Sequence, residues 1–322
     1  MGKLPVEEFS IPIISVGNLT VGGTGKTPLI EYLIELLLPH SRVAILSRGY
    51  RRKSKGFVLA DKTSSAQSLG DEPFQIYCKY PQAIVAVDSN RRRGIKNLLQ
   101  LDNAPDVILL DDAHQHRYVR PTLSIVLSDY NRPIYRDLPL PAGRLREPID
   151  GLKRADIVML TKCDHRLSHE ELCKEAGLLN FDVNKMYASH IEYGNLRSIS
   201  SNELFDISSI ISPDTHVIIM TGIANPQPLH DYIDNFTKHI TTFNYPDHHN
   251  YTPHEINMVV QTASKLNAII ITTEKDYARL DSIDICNEMA QRCFILPLKI
   301  NIQQFRHNTP FDTLIKGIIR HQ

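Results

Sequence analysis

The run Thr20-Val21-Gly22-Gly23-Thr24-Gly25-Lys26-Thr27 has residue types and spacing suited to holding the phosphates of a nucleotide. Glycines let a loop fold back so that successive backbone N–H groups point at phosphate oxygens. A helix starting at the end of the loop adds the positive end of its dipole. In such a loop Lys26 would reach the β- and γ-phosphates of ATP, and the Thr27 hydroxyl would ligate Mg²⁺. The flanks agree, since an apolar run at 11–16 leads in and an apolar helical pattern starts at Pro28. The loop departs from G-x-x-x-x-G-K-[ST] because Thr20 occupies the first glycine position. From Val21 onward it is nearer the K-G-G-x-G-K-T loops of another P-loop branch, with Val21 where the signature lysine stands.

A nucleotide-bound Mg²⁺ needs a second anchor at the end of a neighbouring strand. Asp106-Val107-Ile108-Leu109-Leu110-Asp111-Asp112 supplies one, Asp111 first and Asp112 beside it. Phosphoryl transfer otherwise asks mostly for positioning and charge stabilisation, plus a group that orients or deprotonates the acceptor hydroxyl. Asp71 suits that task, although an Asp before a helical run equally suits a helix cap. Arg48, after an apolar strand, and Arg91, at the head of Arg91-Arg92-Arg93, could grip phosphates through their planar forks. Arg92 and Arg93 read equally well as a solvated helix face. Gln115 and His116 follow the acidic strand end closely enough to contact acceptor or nucleotide.

In the second half, His248 of Asp247-His248-His249 could pair with a carboxylate, raising its basicity and fixing its orientation. The same three residues read otherwise as a polar turn after Pro246, and no fourth ligand at useful spacing supports a metal. Glu274, Lys275 and Asp276 either line a cleft or follow a capping Thr273 as solvated charges.

Strands and helices must bring these residues together. Val- and Ile-rich runs at 11–16, 43–46, 83–87, 107–110, 123–127 and 157–160 alternate with helical stretches at 28–38, 73–80 and 91–101. That is the rhythm of a mainly parallel sheet covered on both faces. The fold class is α/β, a P-loop NTPase core with a second, smaller α/β domain. The rhythm lapses over 182–201, apart from a connecting strand at 187–193, so the division falls at 182. A P-loop kinase domain is expected over 1–182 and a smaller domain over 183–322. The latter has strands at 217–220, 268–272 and 294–298, helices near 228–236 and 254–266, and a terminal helix near 311–319.

A length of 322 residues accommodates two such domains. Lys plus Arg equals Asp plus Glu at 36 each, so no charge excess points to nucleic acid. The 5 cysteines are scattered and lack C-x-x-C spacing, which argues against a disulfide framework or a zinc site and fits a reducing cytoplasm. No run approaches the ~18 apolar residues of a membrane span, and the first residues lack the pattern of a signal peptide. Interfacial attachment needs only an amphipathic segment or a few apolar side chains.

Eight motifs in order make the chain similar to the tetraacyldisaccharide 4′-kinases of lipid A synthesis. They are Ser15-Val16-Gly17-Asn18-Leu19-Thr20, Ser47-Arg48-Gly49-Tyr50, Gly70-Asp71-Glu72-Pro73, Asp111-Asp112-Ala113-His114-Gln115-His116, Leu145-Arg146-Glu147-Pro148, Gly222-Ile223-Ala224-Asn225-Pro226, Asp247-His248-His249-Asn250-Tyr251 and Thr273-Glu274-Lys275-Asp276. Ala113-His114 departs from the Gly-Phe usual in that family. The resemblance implies an enzyme that uses Mg-ATP to phosphorylate the 4′-hydroxyl of a tetraacylated disaccharide 1-phosphate, giving lipid IVA. It implies Asp71 as catalytic base, Asp247-His248 as its match in the smaller domain, and closure of that domain over the site. Arg48 and Arg91 would then meet ATP or the acceptor's 1-phosphate. A peripheral place on the cytoplasmic face of the inner membrane follows, with the lipid A precursor as partner and no protein partner expected. Family members begin with a few dozen further residues that include a membrane-attaching helix. Here Met1 stands just before the first core strand, so either the start lies upstream or membrane contact rests on the remaining surface.

Two other readings are weaker. Thr161-Lys162-Cys163-Asp164 is similar to the guanine-reading N-K-x-D element and would suit a GTPase or a nucleotide-dependent metallochaperone, but Thr replaces Asn. The K-G-G-like loop would also suit a nucleotide-regulated binding protein, against which the missing lysine and the Asp-His motif count.

Overall fold

A strand covered by helices on both faces must bury every side chain, and the runs Ile13–Asn18, Val43–Ser47 and Val107–Asp111 are buried at every residue. The computed structural model describes residues 6–247, 249–280 and 286–320. Its strands are β1 (Ile13–Asn18), β2 (Val43–Ser47), β3 (Val58–Leu59), β4 (Ile84–Val87), β5 (Val107–Asp111), β6 (Leu123–Asp129), β7 (Ile157–Thr161) and β8 (Met186–Tyr193). There follow β9 (Leu196–Ser198), β10 (Leu204–Phe205), β11 (Val217–Thr221), β12 (Ile240–Asn244), β13 (Ile269–Thr273), β14 (Cys293–Leu296) and β15 (Leu298–Gln303).

One sheet has the order β15-β8-β7-β6-β1-β5-β2-β4-β3. Every pairing from β8 through to β4 is parallel. The chain builds outward from β1 toward β4, fills the gap with β5, then reverses to lay down β6, β7 and β8 on the other side. In open parallel sheets such a reversal leaves a crevice at the carboxyl ends of the strands beside it. The register pairs Val16 of β1 with Asp111 of β5, so the acidic strand end lies beside the strand that feeds the glycine loop.

Alternation of side chains divides the core. Ile14 and Val16 pack with Leu29, Leu33 and Ile34 of the helix Lys26–Leu37, while Ile13, Leu46 and Ile108 pack with Ile95 and Leu98 of the helix Arg91–Leu99. The helix His169–Leu179, which the sequence reading did not place, covers β7 through Leu172 and Ala176.

The chain separates into two compact units, one running to Ile191 and resuming at Ile300, the other Glu192–Lys299. This differs from the expected division in two places. Residues 186–188 pair with β7 and belong to the first sheet. The terminal helix Phe311–Arg320 also belongs to the first unit, because Phe311 and Ile315 are buried in one cluster with Ile14, Leu33 and Tyr187. The second unit has a sheet of order β10-β9-β14-β13-β11-β12, parallel from β14 to β12 with β9 and β10 antiparallel at the edge.

The approach of the segment after β5 to β1 is close enough to exclude any side chain at Gly17. A Cβ there would stand 2.6 Å from His114 Cβ and 2.9 Å from its backbone nitrogen. Gly17→Ala should therefore cost about 1–3 kcal/mol, the usual range for overpacking. Thermal or urea unfolding would measure it, and an unchanged midpoint would show that 113–116 can shift freely.

Candidate active site

The loop after β1 adopts the shape its glycines permit. Gly22 and Gly25 have φ of 105° and 86°, in the region that L side chains rarely enter. Gly25 immediately precedes the helix Lys26–Leu37 and gives it no side-chain cap. The Val21 N–H donates to Arg144 O and the Thr24 N–H to Gly22 O. The N–H groups of Gly22, Gly23, Gly25, Lys26 and Thr27 have no acceptor among the described residues. Unpaired donors clustered at a helix start are what an anionic oxygen can satisfy.

Neighbouring segments hold this loop from outside. Asn18 Nδ2 donates to Thr24 Oγ1 at 2.7 Å, and Thr161 Oγ1 donates to Thr24 O at 2.8 Å. Lys162 Nζ donates to Gly23 O and pairs with Asp129 at 2.8 Å. Thr161 and Lys162, weighed above as part of a guanine-reading element, are thus committed to the backbone of the loop. Asp164 accepts from Asn131. Thr20 bridges Leu145, and Arg146 N donates to Leu19 O at 2.7 Å.

Charges converge beside the loop. Lys26 Nζ lies 3.4 Å from Asp112 Oδ1, and Arg146 Nη1 lies 2.8 Å from Asp112 Oδ2. Burial would raise the Asp112 carboxyl, but Lys26 and Arg146 outweigh it and hold it below the ordinary carboxylate range. Asp111 is buried and accepts from Ser47 Oγ at 3.2 Å. Its burial, reinforced by the carboxylate of Glu72, pushes it up to about 6 despite the opposing charge of Lys26. Glu72 was read only as part of a motif, and its electrostatic coupling to Asp111 marks the start of the helix Asp71–Lys79 as part of this site. Asp71 is the exposed first residue of that helix. Thr27 is buried at the head of its own helix.

Among the described residues no three His, Cys, Asp or Glu side chains form a preformed metal cage. Mg²⁺ carried on a nucleotide takes one or two protein carboxylates and completes its shell with phosphate and water. Thr27, Asp111 and Asp112 fit such a donor set.

Arg91, expected to grip a phosphate, is 2 % exposed and donates to Asp88 O at 2.6 Å and to Asp111 O at 2.9 Å, bracing two strand ends. Burial lowers its guanidinium to about 10. Arg93 pairs with the buried Asp88, whereas Arg48 is exposed after β2. Gln115 Nε2 donates to Asn18 O at 2.8 Å and to Glu147 Oε1 at 3.1 Å. His116 is driven down to about 4 by burial and by Arg91 and Arg92, so it is neutral near pH 7, and its buried Nε2 lacks a partner. Glu147 also accepts from Arg117 and Arg154 and ties the 114–117 segment in place.

Within the second unit, Asp276 explains why three motifs occur together. It is fully buried and accepts from Thr221 Oγ1 and Tyr251 OH at 2.8 Å, from Gly222 N at 2.9 Å and from Thr273 Oγ1 at 2.6 Å. Asp276 therefore belongs to the capping account of Thr273 but is enclosed, not solvated. His249 stacks on Tyr245 with centroids 4.7 Å apart and bonds Glu255 at 3.0 Å. His248 lies outside the described residues.

The raised Asp111 has a consequence for stability. Its folded value of about 6 exceeds the ordinary carboxyl value of 3.8, so its contribution is fully present below the unfolded value and is lost as pH rises through the folded one. Without metal or nucleotide, Asp111→Asn should be more stable than the parent above pH ~6, with the gap closing toward pH ~4. Denaturation midpoints with a chelator present would test this; a difference that does not vary with pH would contradict it.

Comparison with known proteins gives this geometry its context. Residues 1–318 match the family model described as tetraacyldisaccharide-1-P 4′-kinase. A tetraacyldisaccharide 4′-kinase of Parabacteroides distasonis is 44% identical, over 98% of this chain and 88% of the relative. One from Flavobacterium johnsoniae is 42% identical, over 99% and 90% respectively. Among solved structures, an "apo" form of LpxK from Aquifex aeolicus in complex with ATP superposes with a TM-score of 0.74 at 29% identity, covering 98% of this chain and 91% of that one. Matched along nearly its whole length in pattern, sequence and fold, the chain belongs to the tetraacyldisaccharide-1-P 4′-kinase family.

Proposed function

We propose that this chain transfers the γ-phosphoryl group of ATP to the 4′-hydroxyl of a tetraacyldisaccharide 1-phosphate, forming lipid IVA. The observation that carries the reading is the glycine loop with unpaired N–H groups, set beside Lys26, Asp111 and Asp112, in a chain of this family. The N–H groups of Gly22, Gly23, Gly25, Lys26 and Thr27 donate to the phosphate oxygens. Lys26, held at the loop by Asp112, supplies charge to the β- and γ-phosphates. Thr27, Asp111 and Asp112 would hold Mg²⁺, which would supply positive charge to offset that of the phosphates.

Asp71 orients and deprotonates the acceptor hydroxyl, with His248 as its proposed partner on the strength of the family motifs at 70–73 and 247–251. Arg48, exposed after β2, meets a phosphate of ATP or acceptor. Arg91 acts by positioning Asp111. Gln115 and the neutral His116 line the acceptor side.

The acceptor is a lipid, while no helix among the described residues is long and apolar enough to cross a membrane. Peripheral attachment to the cytoplasmic face of the inner membrane completes the proposal.

In detergent micelles with Mg-ATP the chain should phosphorylate the lipid A disaccharide precursor, strongly preferring ATP to GTP, with the new phosphate at the 4′ position. Bound ATP without acceptor phosphorylation would refute the kinase reading. Asp71→Ala should slow turnover at least ~100-fold while leaving ATP affinity nearly intact, and a near-normal rate would return Asp71 to helix capping. Lys26→Ala should weaken nucleotide binding and transfer together.

A further inference from the structure

Residues 137–146 form a tight turn between β6 and β7 that presents apolar side chains to solvent. Leu138 and Leu140 are 59% and 52% exposed, and Pro139, Pro141 and Ala142 beside them are exposed too. Single exposed leucines are ordinary, but five consecutive exposed apolar residues on one turn are not. The backbone of the turn is closed on itself. Leu140 N donates to Leu145 O, Leu145 N to Leu138 O and Gly143 N to Pro139 O, while the Leu138 and Arg144 N–H groups both donate to Asp137 Oδ1. Pro139 and Pro141 have no N–H to satisfy. Few backbone donors would therefore lose water if the tip entered a medium of low polarity.

Cations rim the tip. Arg132, Arg136 and Arg144 are exposed, and none has an acidic partner among the described residues. Asp137, the one carboxylate between them, is committed to the turn's own backbone. Apolar side chains ringed by arginines whose stems can extend to phosphate headgroups match an anionic lipid surface in both layers. The turn is wired to the phosphate loop through the Thr20–Leu145 bridge and the Val21-to-Arg144 bond.

We propose that the 138–142 tip docks this protein on an anionic membrane, inserting Leu138 and Leu140 between headgroups while Arg132, Arg136 and Arg144 pair with lipid phosphates. This deepens the proposed function by naming the surface that meets the bilayer, and it rests on that reading for its purpose. Its test needs no acceptor.

The full chain is to be sedimented with vesicles of phosphatidylethanolamine and phosphatidylglycerol, and with vesicles of phosphatidylcholine alone. The parent should bind the anionic vesicles preferentially. The double variant Leu138→Asp with Leu140→Asp should bind them about tenfold or more weakly, and Leu204→Asp, at another exposed leucine, should bind like the parent. Because the chain contains no tryptophan, Leu140→Trp gives an independent reading, with emission shifting to the blue on anionic vesicles. A parent that ignores anionic vesicles, a double variant that binds as tightly as the parent, or an indole that stays in water would each overturn the assignment. Those outcomes leave the micellar kinase assay untouched, and failure of that assay leaves the vesicle result standing.

Discussion

A loop with glycine at 22, 23 and 25 has too little side chain to hold its own shape by packing. Its conformation must be imposed from outside, and this requirement organises the first unit. Leu19 and Val21 exchange backbone bonds with residues 144 and 146, while Thr24 is gripped by Asn18 and Thr161, and Gly23 by Lys162. These supports come from the carboxyl end of β1, from the segment after β6 and from the end of β7, which the parallel sheet brings to one edge. The order of strands is therefore the means by which a flexible sequence keeps a defined backbone. Preorganisation of this kind removes reorganisation from the moment of reaction.

Electrostatic balance follows from the same crowding. Lys26 and Arg146 share Asp112, and Arg91 is buried against the backbone carbonyls of two strand ends. Asp111 and Glu72 repel one another near Lys26. Adjacent carboxylates thus differ, Asp112 kept ionised by its cations and Asp111 ready to take up a proton in mildly acidic solution. A nearby positive charge lowers that repulsion, as Lys26 already does.

Much of this was legible in the residues because the signals are local. The glycine loop, the strand before it and the helix after it lie within one short stretch, and Asp111 ends a run of apolar residues. What was not legible depends on residues far apart. Nothing near Asp276 announces that Thr221, Gly222 and Tyr251 will donate to it, and its neighbours Glu274 and Lys275 suggest a solvated surface. Arg91 opens a run whose next two arginines read as a solvated face, and nothing in the run tells that Arg91 itself is buried by the closeness of the β4 and β5 ends to its helix start. Glu72 reaches Asp111 through tertiary packing alone. The terminal helix has the right period for a helix, but period does not say which sheet it will cover.

That last point bears on how the chain is made. The first unit is interrupted by the second, and Phe311 and Ile315, which fill the core around Ile14 and Leu33, come after the whole of it in sequence. A ribosome synthesising this protein releases the glycine loop well before these two side chains. The uninterrupted unit Glu192–Lys299 can mature while the nucleotide-binding core still lacks part of its packing. Completion of that core thereby waits for residues made after the whole of the second unit.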